Sequence, residues 1–178
     1  MARLPYVTPE SAPPGVRERL ERAPDLNIFK LVAHAETAFA PWLRFGAVLL
    51  RDLALPARLR ELAILRVAAL TPGAQYEWVQ HEPIATEAGA TAAEIEAART
   101  GAPLDGDAGL LLRFTEEVVR EASPSDETFE AAAERFTPRE LVELLLVIGQ
   151  YMTLARVMAT ARIDLDAPTG LSPLVDGR

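Results

Sequence analysis

The sequence predicts an all-α domain of about seven or eight helices, and three observations carry that prediction. The 178 residues are rich in Ala, Leu, Glu and Arg, and only 6% are aromatic. Straight-chain side chains lose little freedom in a helix, whereas strands draw on β-branched and aromatic residues. Apolar residues recur at helical spacing in segment after segment. Helix-start signatures punctuate those segments, the clearest being Thr137-Pro138-Arg139-Glu140, where Thr caps, Pro takes the first position and Glu reaches back. At this length one domain buries roughly 70% of its unfolded surface, enough to fold without staples.

Residues 1–24 read as a proline-rich N-terminal arm. Pro5, Pro9, Pro13, Pro14 and Pro24 fix φ and remove donors, leaving an extended segment with a short helix over 16–23. Asp25 is suited to cap a helix over 26–50, with Ile28, Leu31, Val32, Ala35 and Phe39 as its apolar stripe and Pro41 as a break or kink. The next helix opens near Pro56 and runs through Leu59, Leu62, Ala63, Leu65 and Val67 to Leu70, closed by Thr71-Pro72-Gly73. A helix over 74–88 ends at Gly89, and Thr91-Ala92-Ala93-Glu94 has the form of a capping box for a helix to about Arg99. After the loop GAPLDGD, Leu110, Leu111, Phe114, Val118 and Val119 mark a helix to about Ala122, and another covers 126–135.

The helix opened by Thr137 is apolar around much of its circumference, so it is expected in the centre of the fold or in a contact between subunits. The domain reads as 25–166, with 167–178 an irregular tail. Two short matches, Arg60-Glu61-Leu62 with Arg139-Glu140-Leu141 and Gln75-Tyr76 with Gln150-Tyr151, suggest an internal two-unit repeat of mismatched spacing.

Composition narrows function. A net charge of -8 argues against nucleic acid and anionic membrane as partners, since both need a basic footprint, and leaves small molecules or proteins. The opening residues lack the apolar core of a signal peptide, and no segment approaches 18 uninterrupted apolar residues, so a soluble cytoplasmic protein is expected. The chain has no cysteine, which removes disulfides, thiolate metal sites and catalytic thiols. No phosphate-binding glycine loop and no nucleophile elbow occur.

One segment concentrates chemistry: Gln75-Tyr76-Glu77-Trp78-Val79-Gln80-His81-Glu82-Pro83. On a helix Glu77 and His81 are four apart and share a face, within reach of a carboxylate–imidazole hydrogen bond that holds a tautomer and moves a proton. Pro83 deprives the Val79 carbonyl of its helical partner and bends the helix just beyond His81. A solvated surface pair is the equal alternative, and Trp78 and Tyr76 read first as packing residues. Glu77 and His81 supply two metal ligands, with Glu61 a conceivable third; zinc and iron sites need three or more, so no metal is expected. His34, on the apolar first helix, reads as a hydrogen-bonded core histidine.

Residues 55–98, LPARLRELAILRVAALTPGAQYEWVQHEPIATEAGATAAEIEAA, resemble the core of the carboxymuconolactone decarboxylase family, which shares its all-helical fold with alkylhydroperoxidase D. The marks are Arg60-Glu61-Leu62, Tyr76-Glu77-Trp78, His81 and the Ala-Gly-Ala-Thr link. The thiol-dependent relatives carry Cys-x-x-Cys-x-x-x-His preceded by a glutamate one helix earlier. Here Ala74 and Glu77 stand at the cysteine positions, His81 at the histidine and Glu61, with a one-residue length difference, at the earlier glutamate. Without thiols a dithiol peroxidase cycle cannot run.

The resemblance therefore points to the cysteine-free, AhpD-like branch, and to a cofactor-free lyase or isomerase step on a small cyclic or lactone carboxylic acid. It implies His81 as proton shuttle, Glu77 or Glu61 orienting it, and Tyr76, Tyr151, Arg156 and His34 near the substrate, with Arg60 binding an anion. It also implies a homo-oligomer, a trimer or hexamer, for which the apolar 141–161 helix is the sequence-level support. The alternative is a non-catalytic oligomeric binding protein, in which Glu77 and His81 would face solvent with no enclosed pocket beside them.

Overall fold

The computed structural model describes residues 1–170; positions 171–178 of the expected tail lie outside the described residues. Among them run α1 (Pro14–Leu20), α2 (Asn27–Val32), α3 (Glu36–Arg51), α4 (Ala57–Leu70), α5 (Gln75–Glu87), α6 (Ala92–Thr100), α7 (Gly106–Glu121), α8 (Asp126–Arg135) and α9 (Pro138–Ala161), with no strand among the described residues. The all-α expectation holds, and the helix count exceeds it because the helix expected over 26–50 is two.

The interruption falls at Ala33-His34-Ala35 rather than at Pro41. There the His34 and Ala35 amides bond back three residues to Leu31 and Val32, and α3 then continues through Pro41. A restart at Glu36 places the proline early in α3, where its missing N–H leaves the Thr37 carbonyl without a helical donor but does not stop the helix. Asp25 does not cap α2 either. The α2 N-cap is Leu26, without a side-chain cap. The Asn27 amide donates instead to Asp166 Oδ2 at 2.6 Å, and Asp25 pairs with Lys30. The arm's helix, Pro14–Leu20, begins and ends earlier than expected because Pro14 occupies its first turn.

The two capping boxes form as read, with Thr91 and Glu94 opening α6 and Thr137 and Glu140 opening α9. Gly89 takes φ 91° where α5 ends.

The central helix is α4. Every residue from Leu59 to Ala68 is buried, and α5, α6, α7 and α9 pack around it. A helix enclosed on all sides must neutralise its own charges, and α4 carries three in that run. Arg66 is pinned to Glu116 and to the Ala98 carbonyl, passing so close to Gly101 (φ 76°) that a Cβ there would lie 2.6 Å from its guanidinium. Arg60 and Glu61 pair with each other. The helix expected in the centre or in a contact between subunits, α9, lays one face on α4 and leaves Val142, Leu145 and Leu146 exposed on another. By length and composition α9 could cross a membrane; in the fold 44% of its most apolar window is buried.

The two proposed repeat copies occupy unlike settings. Glu61 is buried inside α4 while Glu140 caps α9 at the surface, and Gln75-Tyr76 opens α5 whereas Gln150-Tyr151 continues α9. From Arg162 to Gly170 the chain is irregular but anchored, with Asp164 and Asp166 bonding to Tyr6, Asn27 and Tyr76.

Candidate active site

The site forms where α5 crosses α4 and α9. Tyr76, Glu77, Gln80 and His81 lie on α5, and all four are buried rather than displayed to solvent. His81 is 5% exposed and Glu77 2%, which removes the surface-pair reading. The hydrogen bond expected between them goes elsewhere. His81 Nδ1 lies 2.7 Å from Glu61 Oε2, across the helix interface. The other Glu61 oxygen accepts from Arg60 Nε at 2.9 Å, with Nη2 2.8 Å away. A carboxylate paired with a guanidinium only accepts, so Nδ1–H donates to Glu61 and Nε2 is the ring nitrogen left for chemistry. Sharing a helical face was not enough, because the imidazole finds on α4 an acceptor already oriented by a buried cation.

Glu77 is consequently alone. Neither carboxyl oxygen has a hydrogen-bond partner among the described residues. Burial holds its carboxyl well above the usual carboxylate range. Tyr151 of α9 closes the group, its ring edge-on to His81 at 4.9 Å between centroids. Burial, with the Glu61 and Glu77 carboxyls adding and Arg60 opposing, pushes its hydroxyl well above the ordinary phenol range.

Glu77, His81 and Tyr151 line a cavity of about 470 Å³, large enough for a small ring compound. Its apolar wall includes Trp42, Leu43 and Leu50 of α3 with Leu154 and Met158 of α9, and Arg19, Arg22 and Arg44 also line it. Arg19 and Arg22 are tied to the Gly15 carbonyl and to Glu18. A chain of net charge -8 thus places three guanidiniums at one cavity, which offers an anion an entry the overall charge would oppose.

The remaining sequence-derived residues take other places. Tyr76 lines the cavity, but its hydroxyl donates to Asp166 Oδ2 at 2.6 Å, and burial with that contact pushes its pKa upward. Arg60, expected to bind an anion, is 3% exposed, outside the cavity lining and committed to Glu61. Arg156 is exposed and donates to the Met152 carbonyl of its own helix, outside the lining, because its position on α9 faces away from α4. His34 is no core histidine: it sits in the exposed turn between α2 and α3, where Nε2 meets the Pro5 carbonyl at 2.7 Å and ties down the arm.

Sequence reasoning missed Gln80 and the arginines. Gln80, 4% exposed and on the cavity, donates to the Asp166 and Ala167 carbonyls and so moors the chain beyond α9. Its position one residue before His81 was the available signal. Arg19, Arg22 and Arg44 become neighbours only when the arm folds over α3, which no local pattern announces. Trp78 is a packing residue, stacked under Arg99 at 4.1 Å with its indole N–H on Glu82. Among the described residues no three His, Asp or Glu side chains are grouped to hold one metal ion.

Residues 36–116, from α3 into α7, match the model of the carboxymuconolactone decarboxylase family. Among solved structures that match, one is a protein of unknown function from Agrobacterium tumefaciens, described as a candidate antioxidant defence protein AhpD. It is 20% identical, with a TM-score of 0.67, over 76% of this chain and 95% of that one, and it shares the fold. No curated protein matches the sequence.

Proposed function

We propose that this protein, whose residues 36–116 match the carboxymuconolactone decarboxylase family, is a cofactor-free enzyme that moves protons on a small cyclic or lactone carboxylic acid. Decarboxylation, or a related lyase or isomerase step, is the reaction the site suits best. The observation that carries this reading is the buried Arg60–Glu61–His81 chain ending at a cavity that Glu77 and Tyr151 also line.

Loss of carbon dioxide from a conjugated lactone acid leaves an electron pair that spreads onto the lactone oxygen. Such a step asks for a place to hold the carboxylate and for an acid that protonates the carbon left behind. Arg19, Arg22 and Arg44 suit the first need, and the groups on α5 suit the second. The apolar wall from α3 and α9 suits the ring of such a substrate. A dithiol peroxidase cycle has no thiolate to begin from, since the chain has no cysteine. The non-catalytic alternative required an exposed Glu77 and His81 without a pocket, and their burial beside a cavity speaks against it.

The test is incubation with a panel of muconolactones and related ring acids, following conjugated absorbance together with released carbon dioxide. Turnover by the wild type that His81→Ala abolishes without unfolding supports the reading; equal turnover by that variant would sink it. Self-association belongs to the same proposal, supported by exposed Val142, Leu145 and Leu146 on α9. A monomer in sedimentation at working concentration would count against it.

A further inference from the structure

We propose that Glu77 enters the reaction as a neutral carboxylic acid whose O–H points its proton at the cavity's ligand, so that Glu77 is the proton donor of this site and His81, held by Glu61, positions the ligand through Nε2. The chemical step rests on the proton-transfer reading above; the state of Glu77 stands on its own surroundings.

Those surroundings offer nothing to an ionised carboxylate. The side chain is 2% exposed, and neither oxygen meets a donor among the described residues. Every charged or titratable group at this end of the cavity is already committed or wrong in kind. On α4, Arg60 gives its guanidinium to Glu61. Glu61 itself bears the same sign as an ionised Glu77 would. On α5, His81 Nδ1 is spent on Glu61. On α9, the buried Tyr151 hydroxyl makes no hydrogen bond to Glu77. Arg19, Arg22 and Arg44 line the same cavity from α1, the segment after it and α3, and none of them bonds to Glu77. Leaving a carboxylate unpaired in such a place is costly, and protonation removes the cost.

A neutral carboxyl then has a hydrogen to give, and no protein acceptor among the described residues takes it. Glu77 lines the cavity, so the acceptor comes from whatever fills it. The ligand class follows: a ring acid that presents an oxygen, or a carbon becoming nucleophilic, at the His81 end, with an anionic group for the arginines. The step balances without another reagent. The substrate carboxylate leaves as carbon dioxide, its C–C bonding pair moves into the conjugated lactone, and the Glu77 O–H bond breaks as a C–H bond forms on the ring. Glu77 is left as carboxylate and regains its proton from water admitted after release.

The experiment is an infrared difference spectrum between wild type and Glu77→Gln at pH 7, without and with benzoate as a ring-carboxylate probe. The expected result is the C=O stretch of one protonated carboxyl in the wild type, sensitive to exchange into heavy water and shifted to lower frequency when benzoate is added. A difference spectrum holding only carboxylate bands overturns the proposal, and so does a protonated band that benzoate leaves unmoved. If the substituted chain fails to fold, carboxyl-labelled glutamate in the wild type gives the same reading from the carbon resonance that stays protonated at pH 7. Both arms are read without turnover, so they fail independently of the substrate panel.

Discussion

Replacing Glu61 by Gln should be among the most destabilising conservative changes in this chain. The substitution keeps shape and leaves an amide oxygen for His81 Nδ1, but it removes the charge opposite Arg60. The two side chains are 4% and 0% exposed, so the guanidinium would stay in the interior without an anion. Removing one partner of a buried ion pair costs about 3–5 kcal/mol. In a chain of this size 1 kcal/mol moves the melting temperature by about 2–4 °C, so a drop of roughly 6–20 °C is expected. Thermal and urea unfolding followed by circular dichroism at pH 7 measure the temperature drop and the free-energy loss, with Arg60→Met/Glu61→Gln as the companion. Because that pair of changes removes both charges, the double variant should be more stable than Glu61→Gln alone. A loss below about 1 kcal/mol for Glu61→Gln, or no recovery in the double variant, would refute the idea that a buried cation holds the glutamate that orients His81.

Further outcomes follow from the same geometry. Glu77 has a folded-state pKa raised by burial, so the folded protein binds this proton more tightly than the unfolded chain does. Its stabilising effect is therefore complete below the unfolded value near 4.3 and declines as pH rises through the folded value, by about 1.4 kcal/mol per pH unit. Relative to Glu77→Gln, the wild type should lose stability across that window; parallel pH profiles of the melting temperatures would contradict this. Asp166→Ala removes the acceptor of the Asn27 amide and of the Tyr76 hydroxyl, leaving a largely buried phenol unpaired. A loss of about 2–3 kcal/mol in urea unfolding is expected, and an unchanged midpoint would show that the segment beyond α9 does not hold α2 against α5.

What could be read in the sequence was what local chemistry determines. The α6 and α9 starts follow from Thr91 with Glu94 and Thr137 with Glu140, which bond within one turn and need no distant partner. The span of α8 and the terminator at Gly89 are of the same kind. Glu61, Glu77 and His81 were legible as a set through the family motif, and the fold brings all three to one place.

Their mutual roles were not legible. Helical spacing puts Glu77 beside His81, yet the imidazole turns to Glu61, because only the packing of α5 on α4 reveals an acceptor already anchored by Arg60. The same limit explains Arg60 and Arg156: a residue type that suits an anion says nothing of which way its helix face will point. Apolar content did not mark α4 as the central helix, because charges on α4 read as surface until they prove to be paired inside. The cavity arginines come from segments distant in sequence, so their convergence is purely a property of the fold.

The proposed reaction protonates a ring carbon as carbon dioxide leaves, using only side chains of the chain. Turnover of the ring acids in heavy water, read by mass spectrometry and proton resonance of the product, tests it most directly. One deuterium is expected on the product ring, with carbon dioxide released in equal amount and both absent in His81→Ala. Carbon dioxide loss that leaves the ring unlabelled, or equal labelling by the His81→Ala protein, would overturn the reading.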